Sequence, residues 1–245
     1  MGIKSLNNYK LIIQYDGTNY AGWQIQKNAK TIQQIISDSI EILLNEKINL
    51  IGSGRTDAGV HAIGQAANFR TEAEIDLYKF KYSLNSILPV DISIINIQKV
   101  DPNFHARFDA KKRTYLYLFS KYKSPFFHNY SYFIHREINC TKLNELSKKF
   151  YGKKDFTSFS RKNSETENKI CNIYEAHWKE TKGLIIFKIE GDRFLHGMVR
   201  TIIGTLLNAV DKDEYYIENI FFQKNREQAG EAVPPNGLFL FKVKY

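Results

Sequence analysis

The chain has 245 residues, 43% of them hydrophobic and 25% charged, with a formal net charge of +9. That length suits one large domain or two small ones with a real core, and a positive field of that size attracts polyanions, nucleic acid first among them, unless the excess only reflects a lysine-rich proteome. Its two cysteines, Cys140 and Cys171, form no close-spaced cluster, which excludes a disulfide framework and a zinc signature, and no apolar run reaches signal-peptide or membrane-spanning length, so the chain reads as a reduced, soluble, cytoplasmic protein.

In chain order, Tyr9 to Tyr15 alternates as a strand, with Tyr9, Leu11, Ile13 and Tyr15 on one side. Asp16-Gly17 ends it, and an aromatic loop through Tyr20, Gly22 and Trp23 follows. Thr31 opens a helix, with Gln34 three residues on as the second half of a capping box and Ile32, Ile35, Ile36, Ile40, Leu43 and Leu44 at helical spacing. A strand near Lys47 to Ile51 leads into the stretch I-G-S-G-R-T-D-A-G-V-H, Ile51 to His61, and Ala66 to Arg70 leaves it as another strand. Leu77 to Leu88 reads as a helix stopping before Pro89, and Ile92 to Val100 as a strand.

A second set begins near residue 106. Arg113 to Phe119 is a strand with Tyr115, Tyr117 and Phe119 on one face, and Thr141 to Phe150 is a helix. Asn172 to Trp178 and Leu184 to Ile189 form a hairpin across Lys182-Gly183. A long helix runs from about Arg193 to Val210, and Leu238 to Tyr245 closes the chain as a strand. The polar segment from Lys153 to Asn168 reads as a mobile loop or a surface for RNA. The expected fold is α+β: two similar halves, 1–105 and 106–245, sharing a continuous, mainly antiparallel sheet with helices on one face; two independent domains is the alternative.

Three features bear on chemistry. Gly52, Gly54 and Gly59 surround Arg55 and Asp57, so the stretch is either a tight turn whose Asp bonds its own backbone or a loop displaying an arginine and a carboxylate. In the helix expected from Arg193, a stripe of Arg193, His196, Gly197, Arg200 and Gly204 lies opposite a wide apolar face. Two glycines there cost about 1 kcal/mol each relative to alanine, which points to a close approach by something else. Tyr115 is either a core ring or a stacking platform for a base, and the basic stretch from Phe104 to Arg113 is either a phosphate contact or a solvated charge run. No P-loop, dinucleotide fingerprint, nucleophile elbow or metal-ligand histidine spacing occurs. That leaves a reaction without nucleotide cofactor or metal, with Asp57 the best nucleophile candidate.

Gly54 to Gln65 reads G-R-T-D-A-G-V-H-A-I-G-Q, and it closely resembles the active-site motif of the TruA family of tRNA pseudouridine synthases. Tyr15 to Thr18, Gly22 to Gln26, Leu84 to Pro89 with Asp91-Ile92, Phe104 to Phe108 with Arg113 to Tyr117, Asp155-Phe156 with Phe159, Phe194 to His196 with Met198 to Arg200, and Pro234-Pro235 with Gly237, Leu238 and Leu240 are similar to further motifs of that family, in order. Gly191-Asp192-Arg193 departs from the smaller, uncharged residues common there, and Gly197 fills a variable site. The resemblance implies isomerisation of uridine to pseudouridine at positions 38 to 40 of the tRNA anticodon arm, without cofactor or metal, by a homodimer. It implies Asp57 as the essential carboxylate and nucleophile, acting at C1′, at C6 or on a sugar proton. Tyr115 would stack on the base and take part in the final proton transfer. Arg55 would extrude the base, Arg200 would pair with Asp57, and Leu238 would pack on the base. A non-catalytic tRNA-binding paralogue, a relative with other target uridines and a small-molecule hydrolase using Asp57 are the rival readings.

Overall fold

A computed structural model of the chain describes residues 6–162 and 166–245. The described residues form two compact units, one within 6–110 together with 240–245 and one within 111–239.

The first unit holds β1 (Asn7–Tyr15), α1 (Ile32–Leu44), β2 (Ile51–Gly52), β3 (His61–Thr71), α2 (Leu77–Ile87) and β4 (Ile92–Val100). Its antiparallel sheet runs β4-β1-β3, with β2 paired to the second half of β3 through Ile51↔Asn68 and Gly52↔Ala67. The alternation in β1 puts Tyr9, Leu11, Ile13 and Tyr15 inside, all buried. Phe69 of β3 joins Tyr9 at 5.7 Å to Phe80 of α2 at 6.1 Å between ring centroids, and α1 adds Ile32, Ile36 and Ile40, so both helices bury their apolar stripes. Thr31 caps α1 by accepting from the Gln34 N–H at 3.4 Å, while the Gln34 amide turns to Asp38 instead of back to the cap. Away from the helices, Asn8 and Asn68 bond each other at 2.9 Å and hold Phe104 O and Ala106 N–H, which pins the Phe104–Phe108 stretch.

The second unit holds β5 (Lys112–Ser120), β6 (Tyr132–Phe133), α3 (Cys140–Ser147), β7 (Gly152–Asp155), β8 (Ile170–Glu180), β9 (Leu184–Gly191), α4 (Met198–Ala209) and α5 (Tyr216–Gln223). The last strand, β10 (Leu238–Lys244), starts in this unit and ends in the first. The order is β5-β9-β8-β7, antiparallel except for β6, which lies parallel on the end of β5. Phe119, Trp178 and Phe187 stack through this sheet, and Asn144 of α3 clasps the Trp178 backbone at both N–H and C=O. Each unit is α+β with a mainly antiparallel sheet, and among the described residues no helix is long and apolar enough to cross a membrane.

Two expectations are corrected. The polar segment from Lys153 is not a plain loop: β7 pairs with β8, and Phe156 and Phe159 are fully buried in a ring cluster with Phe150 and Phe221. Positions 163–165 of that segment lie outside the described residues. The helix expected from Arg193 starts only at Met198, because Gly197 caps it in the left-handed region at φ 73°. Arg193 and His196 therefore do not share a helical stripe with Arg200. Gly204 does answer to a close approach, but the approaching group is the protein's own backbone, since a Cβ there would lie 1.8 Å from Glu231 O.

Candidate active site

In the first unit, the loop between β2 and β3 is tied down along its length. At its start, Ser53 N–H donates to Ala66 O at 2.7 Å, and the Ser53 hydroxyl donates to Gln65 Oε1 at 2.6 Å. The buried Gln65 amide then donates to Gly54 O at 2.9 Å. Gly52 is glycine because Trp23 fills the space, its Nε1 standing 2.5 Å from where a Cβ would be. In the middle, the buried Thr56 shares a hydrogen bond of 2.8 Å with the Tyr15 hydroxyl, and its carbonyl accepts from the Trp23 N–H at 3.1 Å. Beyond it, Val60 N–H returns to Asp57 O at 3.2 Å, with Gly59 at φ 75° supplying the left-handed residue that such a turn requires. At its end, Gly17 N–H donates to Nδ1 of the buried His61 at 3.0 Å, and Asp16 Oδ1 lies 3.1 Å from the same nitrogen. The turn closes through the Asp57 backbone carbonyl. Ser53, Thr56, Val60 and His61 anchor it inward, Arg55 is exposed and Asp57 is half-buried.

The second unit carries Tyr115, Arg200 and Leu238. Tyr115 lies on β5 opposite Ile189, almost wholly buried, with its ring edge-to-face against Phe194 at 5.2 Å. Arg200, in the first turn of α4, donates from Nε to Val233 O at 2.7 Å, and Val233 N–H returns to Arg200 O. One residue on, Pro234 O accepts from the Tyr117 hydroxyl at 2.8 Å. Burial raises the Tyr117 phenol above its ordinary range against the pull of the Arg200 charge, so it is a fixed donor. Gly237 completes the strap, since a Cβ there would meet the Tyr117 ring at 2.7 Å. Arg200 and Tyr117 thus hold residues 233–237 in place and deliver the buried Leu238 at the head of β10.

Arg55 and Asp57 share one loop, and Arg200 and Leu238 share one strap with Tyr117 between them. The supporting residues Gln65, Trp23 and Tyr117 were not singled out by sequence reasoning for these jobs. All three stand inside quoted motifs, and Tyr117 shares the inward face of β5 with Tyr115.

A family profile described as tRNA pseudouridine synthase matches residues 11–109 and 146–245. The chain is 44% identical to tRNA pseudouridine synthase A 1 of Protochlamydia amoebophila, over 97% of this chain and 96% of that protein. It is 42% identical to tRNA pseudouridine synthase A of Caldicellulosiruptor saccharolyticus, over 98% of this chain and all of that protein. Against tRNA pseudouridine synthase A of Thermoanaerobacter sp. strain X514 the identity is 38%, again over 98% and 100%. With the profile covering most of the sequence and relatives of this similarity end to end, the chain belongs to the tRNA pseudouridine synthase family.

Proposed function

We propose that this enzyme isomerises uridine to pseudouridine in the anticodon arm of tRNA, at positions 38, 39 and 40. The observation that carries the reading is the Asp57 loop, a half-buried carboxylate beside an exposed arginine on a turn anchored along its length, in a chain similar end to end to enzymes named tRNA pseudouridine synthase A. In the reaction the bond from C1′ to N1 breaks, the base turns, and C1′ bonds to C5. The C5 proton leaves and N1, freed from C1′, gains one, so substrate and product hold the same atoms and electrons.

Asp57 is the essential carboxylate, and it serves whether it attacks C1′, attacks C6 or removes a sugar proton. The first half, 1–105, carries this loop. The second, 106–245, supplies Tyr115 to stack on the base and accept the C5 proton, Leu238 to pack against it, and Arg200 as the cation of the site. Arg55 fills the space of the extruded nucleotide, since a base within a stem must leave the stack to be reached. The net charge of +9 supports a partner held largely by its phosphate backbone. The enzyme works as a cytoplasmic homodimer.

Mapping pseudouridine in tRNA after incubation with the protein tests the substrate, and an unchanged anticodon arm would refute it. Asp57→Asn is expected to abolish product while tRNA affinity stays within about tenfold, about 1.4 kcal/mol. Retained turnover in that variant would remove Asp57 from the chemistry.

A further inference from the structure

We infer that Tyr15 is a positioning residue for the reaction: its buried hydroxyl, bonded to Thr56 Oγ1, sets where the next residue, Asp57, presents its carboxylate. The inference rests on the proposed role of Asp57. Three independent features converge on Thr56. The Tyr15 hydroxyl holds its side chain at 2.8 Å. The Trp23 N–H holds its carbonyl at 3.1 Å. Gly22, at φ 96°, lets that carbonyl in, because a Cβ there would lie 2.5 Å from Thr56 O.

The strand pairing is also adjusted to aim Tyr15. Between Ile13↔Gln65 and Tyr15↔Ala62 the register slips, leaving one extra residue on β3, and a bulge of this kind re-aims a side chain at the end of a ladder. A core tyrosine needs no such device to bury its ring, and the ring is already packed against Trp23 at 6.1 Å. Both Tyr15 and Thr56 are almost fully buried, so the bond between them is shielded from competing water. A carboxylate one peptide away inherits that fixed origin. Errors of about 1 Å at a reacting group cost on the order of a hundredfold in rate, so a small slackening is readable in kcat.

The test uses the full chain and three substitutions. Tyr15→Phe removes one hydroxyl and keeps the ring, Thr56→Val removes the other and keeps the shape, and Thr56→Ser keeps the Thr56 hydroxyl. Pseudouridine formation on tRNA is measured as kcat and KM, and hydrogen exchange is followed at the Trp23 and Val60 amides, which bond Thr56 O and Asp57 O. Tyr15→Phe and Thr56→Val are each expected to lower kcat about tenfold with KM within about twofold, and to speed exchange at both amides about tenfold. The double variant falls no further than either single one, because both cut the same bond. Thr56→Ser keeps kcat within about twofold of the parent. Unchanged amide exchange in Tyr15→Phe, or losses that multiply in the double variant, would overturn the inference. A parent protein that leaves the anticodon arm unmodified would refute the proposed function instead, and the exchange measurement still decides whether Tyr15 fixes the loop.

Discussion

Gly204→Ala separates a solvent-facing helical glycine from one that lets two stretches of backbone touch. On a free helix face the change would stabilise the protein, since alanine exceeds glycine by about 1 kcal/mol in a helix interior. In α4 the new methyl would lie 1.8 Å from Glu231 O and 3.0 Å from Glu231 C. Gly230 abuts the same spot, because a Cβ there would fall 2.6 Å from Gly204 C, and its N–H donates to Thr205 Oγ1 at 2.9 Å. These are backbone atoms and cannot rotate away, so the helix and residues 230–231 must separate. Overpacking of this kind costs about 1–3 kcal/mol, and against two backbones the upper end applies, leaving a net loss of about 2 kcal/mol. For a chain of this size that lowers Tm by about 4–8 °C. Gly197→Ala is the control. Its φ of 73° is strained for alanine but no atom lies within 4 Å of the added methyl, so only about 1 kcal/mol and about 2–4 °C are lost. Thermal melts of both variants against the parent measure the difference. A Gly204→Ala protein melting at or above the parent would refute the reasoning.

Two further outcomes follow from ionisable groups outside the candidate site. Burial works to raise the Asp155 carboxyl, but Lys224 at 2.8 Å and the Thr157 hydroxyl and N–H hold it below the usual carboxylate range. A depressed folded value contributes stability above the unfolded pKa of about 3.9 and loses it as pH falls through the folded value, so Asp155→Asn should melt below the parent at pH 7 and the gap should close as acid protonates the folded carboxyl; a gap constant with pH would exclude the charge as its cause. Burial pushes the Cys171 thiol up to about 12, whereas Cys140 is only half-buried, so iodoacetamide at pH 8 should label Cys140 and reach Cys171 only on unfolding, and equal labelling of the folded protein would contradict the burial.

What could be read from the sequence was what repeats over short distances. The alternation in Tyr9 to Tyr15 and Arg113 to Phe119, and the Thr31 cap, each show within one turn or a few residues of strand, and each element forms there. Contacts over long separations left no such mark. Gly204 meets Glu231 across 27 positions, so its reason could be stated only as an unidentified approach. Gly52 stood among the glycines around Arg55 and Asp57 with no partner in view, whereas the Trp23 ring occupies the space where its Cβ would be. Phe156 and Phe159 match a family motif, but their burial does not show in a stretch polar on average, and their partner Phe221 lies on α5, a helix too short to show several turns of periodicity. The candidate residues on the Asp57 loop were legible because several chemical types crowd into one segment. Tyr117, doing the work of a strap anchor, looked like any other inward ring of β5.

The path of β10 sets an order of events during synthesis. Residues 111–239 form one unit, and residues 240–245 return to complete the other. Gly64 of β3 needs the backbone of Phe241, and Tyr245 donates its hydroxyl to Ala106 O at 2.9 Å while the rings of Phe104 and Tyr245 meet at 4.9 Å. The ribosome makes the Asp57 loop early, yet the unit that carries it waits for the last residues of β10. Residues 111–239 are contiguous, whereas the unit with the Asp57 loop gains the β3 neighbour β10 only when residues 240–245 are made.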